Sequence, residues 1–203
     1  MPQLKGREYR AIAPLRILTE QKEKRIDSNY YVEGYATTFE PYVLWEDEDG
    51  PIYESFSRDC FDGCDMADII MQFDHQGMVM ARQRNKTLLV EVDEKGLFIA
   101  ADLSKSEMSR NLYEAIANGL IDRMSWGFMP GKYHFDEATR TFVHDKVKKI
   151  FDVSSVSLPA NESTDIHARS FVNGAIEKMK QELLEQKRNK DKLSLKLKLE
   201  GVH

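Results

Sequence analysis

Long apolar runs are missing from this chain of 203 residues. Its longest apolar stretches fall far short of the roughly 20 residues that cross a bilayer, and the N-terminal MPQLKGREYR lacks the apolar core of a secretion signal. Neither a membrane role nor export is expected. Cysteine is scarce: Cys60 and Cys64 lie close together in SRDCFDGCD with no second pair to complete a zinc site or a disulfide framework. Both are therefore expected as reduced thiols. Positive charge is also short, with 29 Lys and Arg against 34 Asp and Glu for a net charge of −5. Residues 171–203 hold eight Lys or Arg against five Asp or Glu, so the body before them is more acidic than the whole. Such a body is not a nucleic-acid binder. Glu46 to Asp49 form an acidic run before Gly50 and Pro51, but they lack the spacing of a calcium loop and read as a solvated turn, so no metal site is expected.

Apolar alternation and short β-rich runs are plentiful. Residues 8–18, 30–39, 68–73, 86–92, 96–103, 121–132 and 141–158 read as strands, with turns at Asp93 to Gly96 and Asp136 to Ala138. SKSEMSRNLYEAIANG reads as a helix: Ser104 and Glu107 have capping-box spacing, Met108, Leu112, Ala115 and Ile116 share a face, and Gly119 suits the stop. A shorter helical turn is expected around Ser57 to Phe61. The strands suffice for a small barrel with flanking helices.

Three polar residues stand in short apolar segments: His75 in QFDHQ, Ser125 in GLIDRMSWGF and Asp152 in FDVSSVSLPAN. A serine hydroxyl becomes a good nucleophile when an imidazole takes its proton and a carboxylate holds that imidazole in the correct tautomer. These three residue types could supply that chemistry. Each also has an ordinary reading, His75 as a residue at the rim of the core and Ser125 as a small filler bonded to backbone. Asp74 competes for the carboxylate role, but neighbouring side chains on an extended segment point to opposite faces, which disfavours it. The absence of a G-x-S-x-G elbow argues against an unrelated serine hydrolase.

The ordered segments YVEGYATTFE (31–40), YESFSRDCF (53–61), MQFDHQ (71–76), KGLFIAADL (95–103), NGLIDRMSWGF (118–128) and FDVSSVSLPANESTDI (151–166) resemble those of the prohead maturation proteases of tailed bacteriophages. These are serine endopeptidases related in fold to the herpesvirus assemblins. The resemblance implies an α+β fold centred on an assemblin-like β-barrel, with Ser125 as nucleophile and His75 as general base. The third member would be Asp152, one methylene shorter than the family's usual glutamate before a Val-Ser pair. A His-Ser-His arrangement using His144 or His167 is the minor alternative; His134 and His144 flank a polar hairpin. No cofactor is implied, and oxyanion donors are expected near Gly127 or Pro159 to Asn161. The implied substrates are the major capsid protein and its scaffolding segment, cleaved inside the procapsid in the bacterial host cytoplasm. Self-cleavage and homo-oligomers fit as well. The rival reading is an assembly factor that keeps the fold without activity.

After Arg169 the pattern changes. Ile176, Met179, Leu183 and Leu184 fall on an amphipathic helix among charges, and residues 193–199 alternate Leu with Lys or Ser. Residues 1–169 are expected as the protease domain and 170–203 as a charged tail that docks on scaffold or is itself cleaved.

Overall fold

The computed structural model describes residues 8–17, 24–157 and 169–199. Strands β1 (Glu8–Ile17) and β2 (Tyr31–Thr38) precede a hairpin of β3 (Tyr42–Asp47) and β4 (Gly50–Phe56). Four further strands follow: β5 (Ile70–Phe73), β6 (Gln76–Arg82), β7 (Leu88–Val92) and β8 (Gly96–Asp102). Helix α1 (Glu107–Ala117) leads into β9 (Arg123–Pro130), then β10 (Tyr133–Asp136), β11 (Thr141–His144), β12 (Val147–Val156) and helix α2 (Arg169–Leu199). The large sheet runs β6-β5-β12-β9-β1-β2-β8-β7 and the small one β10-β11-β4-β3.

This is an α+β fold of two open sheets, not the closed barrel expected from the strand count. The large sheet's edges, β6 and β7, meet at the turn between them, where Thr87 N–H donates to Arg82 O. No ladder joins them among the described residues. The acidic run expected as a solvated turn is exposed and forms the tip of a hairpin, β3–β4, whose strands were not expected and which pairs with β11, and residues 141–156 divide into two strands that serve different sheets. The short turn expected at Ser57 to Phe61 is there as a single hydrogen-bonded turn, Cys60 N–H to Ser57 O, followed by another, Cys64 N–H to Phe61 O, without a helix.

Helix α1 is capped by Ser106, two residues after the expected Ser104: its hydroxyl accepts from Ser109 N–H, and Glu107 lies in the first turn, where the helix dipole favours an acid. Its end is a Schellman motif. Gly119 takes a φ of +70°, with Leu120 N–H to Ala115 O and Gly119 N–H to Ile116 O. Leu112 and Ile116 bury into the main core, which gathers Met71, Val153, Trp126 and Phe128 of the large sheet around Phe56 of β4. Phe56 meets Trp126 edge-on at 5.3 Å and stacks on His144 at 4.7 Å, so this one ring joins the two sheets.

A buried charge network makes the second join. Arg10 on β1 donates to Glu54 of β4 at 2.7 Å and to Glu8 at 2.8 Å. His144 Nε2 lies 2.8 Å from Glu54, and Tyr42 OH donates to the same carboxylate. Glu8, Glu54 and His144 have the proximity of a metal-ligand set, but the cation among them is the Arg10 guanidinium. Burial alone would push the Glu54 carboxyl up, yet the Arg10 charge and the His144 bond hold it well below the usual carboxylate range. Glu54→Ala leaves Arg10 buried without its main partner and is expected to cost about 3–5 kcal/mol in urea unfolding. The lowered carboxyl stabilises the fold fully above the unfolded Glu value of about 4.3, and this contribution drains away as pH falls toward the folded value. The wild type should therefore lose stability in strong acid more steeply than Glu54→Ala; parallel acid profiles would count against the network.

Helix α2 lies against the small sheet: Met179 is buried with Leu44, Ile52 and Phe142, and Lys180 sits over the Trp45 ring. The Leu-Lys alternation of residues 193–199 is helical here. No helix among the described residues is long and apolar enough to cross a membrane.

Candidate active site

Strand β9 lies between β12 and β1. Met124, Trp126 and Phe128 are fully buried on its core side, so the period of two turns Ser125 to the opposite face. The apolar residues around Ser125 thus anchor the strand and aim the hydroxyl away from the core.

Asp152 reaches that same face through an irregularity. Ile150 stands opposite Phe128, but Asp152 stands opposite Gly127, which makes Phe151 an extra residue on β12. In an unbroken register Asp152 would face Trp126 on the apolar side. The bulge re-aims it, and Asp152, Ser154 and Ser125 then share one face.

His75 arrives from a tight hairpin. Phe73 pairs with Gln76, leaving Asp74 and His75 as the two central residues with φ of +47° and +56°. Both lie in the left-handed region used by primed hairpin turns, where glycine is favoured at the second position. A histidine there is strained, by about 1–3 kcal/mol, as residues at working sites often are.

These elements bring His75, Ser125 and Asp152 together. His75 Nε2 lies 2.6 Å from Ser125 Oγ, and His75 Nδ1 hydrogen-bonds Asp152 Oδ2. A carboxylate accepts only, so the ring carries its proton on Nδ1 and Nε2 is left to accept the serine proton. Asp152 is fully buried and Ser125 is 2% exposed. A buried carboxylate loses little of its field to solvent.

Asp74 points elsewhere: its carboxylate accepts from Ser157 N–H at 2.9 Å and Ser157 Oγ–H at 2.8 Å, and its own N–H donates to Ser155 O at 3.0 Å. It ties the strained hairpin to the end of β12. His144 belongs to the Glu54 network and His134 pairs with Asp145 at 2.9 Å. His167 and Pro159 to Asn161 lie outside the described residues. Gly127 sits within β9, paired on both sides, not in a loop. The acidic run is held by cations, Arg140 on Asp47 and Lys187 on Asp49. Cys60 and Cys64 are free thiols, pushed up by burial to about 12 and about 11, which leaves them protonated and unreactive at neutral pH.

One polar neighbour escaped the sequence reading. Ser154 is fully buried, and its hydroxyl donates to Asp152 Oδ2 at 2.9 Å. The only signal in the sequence was the polar pair within FDVSSVS, and nothing there distinguishes Ser154 from Ser155.

Neither comparison with curated proteins nor comparison with solved structures returns a match. A sequence model of a known family does match, and its span of residues 17–182 contains both sheets' main strands and all three residues of the hydrogen-bonded set. The chain belongs to the caudovirus prohead serine protease family.

Proposed function

We propose that this protein is an active maturation endopeptidase of the procapsid, with Ser125 as nucleophile, His75 as general base and acid, and Asp152 as the group that orients the ring. The observation that carries this reading is the continuous chain from Ser125 Oγ through both His75 nitrogens to Asp152. Ser125 would attack the scissile carbonyl while its proton passes to His75 Nε2. That proton would then go to the leaving amine as the acyl-enzyme forms. Water, activated by the same nitrogen, would release the acyl group. Asp152 would stabilise the imidazolium without itself taking a proton.

The substrates would be the major capsid protein with its scaffolding segment, and the enzyme itself, inside the assembling shell in the host. The test is co-expression of the full chain with its capsid protein, followed by intact-mass measurement of both. New capsid-protein termini that disappear with Ser125→Ala support the reading. Unprocessed capsid protein with the wild-type chain would favour an inactive assembly factor.

Residues 170–203 would recruit the enzyme to the scaffold. Support comes from the far part of α2, where Asp191 to Lys196 are all exposed and Leu193 and Leu195 lie among lysines. Because Met179 helps build the small sheet's core and Lys190 pairs with Glu137, the informative truncation ends after Lys190. In a Ser125→Ala background, which removes self-cleavage, this chain should melt like its parent yet be depleted from purified procapsids. Equal incorporation would remove the recruitment role.

A further inference from the structure

Two adjacent serines on β12 are both fully buried, yet they differ in what their hydroxyls do. Among the described residues Ser155 Oγ has no hydrogen-bond partner, whereas Ser154 Oγ donates to Asp152 Oδ2. That oxygen is the one facing His75 Nδ1. Ser154 stands opposite Ser125 in the β12–β9 ladder, and across the other edge opposite Gln72 of β5. A carboxylate on a two-bond stem can rotate, and each donor that reaches it narrows that rotation. Ser154 supplies one from a strand position two residues on, onto the same oxygen that meets the imidazole. The Phe151 bulge that turns Asp152 to this face brings Ser154 with it, so one irregularity delivers both groups.

We infer that Ser154 is a positioning residue, the fourth member of the hydrogen-bonded chain, which holds Asp152 Oδ2 toward His75 and thereby keeps Nε2 aimed at Ser125. This rests on the proposed role of Ser125. The shorter aspartate adds a reason: with one torsion fewer than glutamate, its placement depends on strand register and on this hydroxyl.

The test uses the full chain and an alkyl fluorophosphonate, which needs no knowledge of the cleavage sequence. Ser125 Oγ forms a bond to phosphorus, fluoride leaves, and His75 takes the hydroxyl proton. Ser154→Ala should lower the maximal labelling rate about tenfold, the loss of one hydrogen bond to a charged group, while half-saturation stays unchanged. The downfield proton resonance of His75 Nδ1 should shift and broaden. Ser155→Ala should change neither, since its hydroxyl has no partner among the described residues and does not touch Asp152. Should Ser154→Ala fail to melt cooperatively, the nearly isosteric Ser154→Cys, a weak donor, should show the same loss of rate. Wild-type labelling and an unchanged resonance in the Ser154 variants, with Ser125→Ala unlabelled, would overturn the role of Ser154 and leave the nucleophile standing. Labelling of Ser125→Ala at the wild-type rate would instead overturn the nucleophile assignment, and the Ser154 proposal with it.

Discussion

Ser125→Ala is expected to lower the rate of capsid-protein cleavage by roughly 10⁶-fold while leaving the fold intact. The side chain is small and nearly buried between β12 and β1, so removing its oxygen opens little space and leaves the aromatic core on the other face untouched. What is lost is the atom 2.6 Å from His75 Nε2. His75→Ala should fall by a similar factor, and the double variant should be no slower than either single one, because nucleophile and base act as a unit. Fragment accumulation by mass spectrometry and thermal melting measure the two sides of this expectation. Wild-type cleavage by a folded Ser125→Ala chain would remove the nucleophile assignment. Additive losses in the double variant would mean that the two residues do not work together.

The second large effect is expected at Asp152. Asp152→Asn nearly preserves shape, but an amide can present N–H to His75 Nδ1, which drives the ring proton to Nε2 and leaves no acceptor for Ser125; the loss should be roughly 10⁴-fold. Asp74→Asn is the paired comparison, since it sits next to His75 in the sequence and carries the same chemistry. Its amide oxygen can still accept from Ser157 N–H and its NH₂ can donate to Ser157 Oγ, so both contacts to β12 survive. The change should stay within about twofold, since the partly exposed side chain keeps both contacts. Were Asp74→Asn the more damaging of the two, the carboxylate role would have to move to the hairpin.

Much of the local structure was legible. The 93–96 and 136–138 turns are visible as Asp-led polar clusters, and their Asp side chains do cap the backbone: Asp93 accepts from Lys95 and Gly96 N–H, and Asp136 from Ala138 N–H. Helix α1 was evident from its apolar face and from Gly119. The exposed acidic turn at Glu46 to Asp49 was legible, but the strands β3 and β4 on either side of it were not, because their pairing with β11 and the cations on Asp47 and Asp49, Arg140 and Lys187, are distant in sequence. Strand β6 was missed for a similar reason. Its exposed Met78 and Val79 break the alternation that marks a half-buried strand.

The sequence by itself determined the residue types, the apolar segments that carry them, and the family to which those segments belong. It also showed that Ser125 has anchoring neighbours, because Met124, Trp126 and Phe128 alternate at the period of a strand. Tertiary structure alone decided that Asp152 shares a face with Ser125, since that depends on one extra residue at Phe151, and a bulge is a property of two paired strands. It replaced the extended-segment reason for setting Asp74 aside with a turn whose Asp74 bonds Ser157, and it alone separated Ser154 from Ser155. The two serines are chemically identical, and only the hydrogen-bond partner of Ser154 distinguishes them. Whether the large sheet closes was likewise beyond the sequence: strand count and alternation are local, but closure depends on whether the edges β6 and β7 pair, and they diverge after their shared turn.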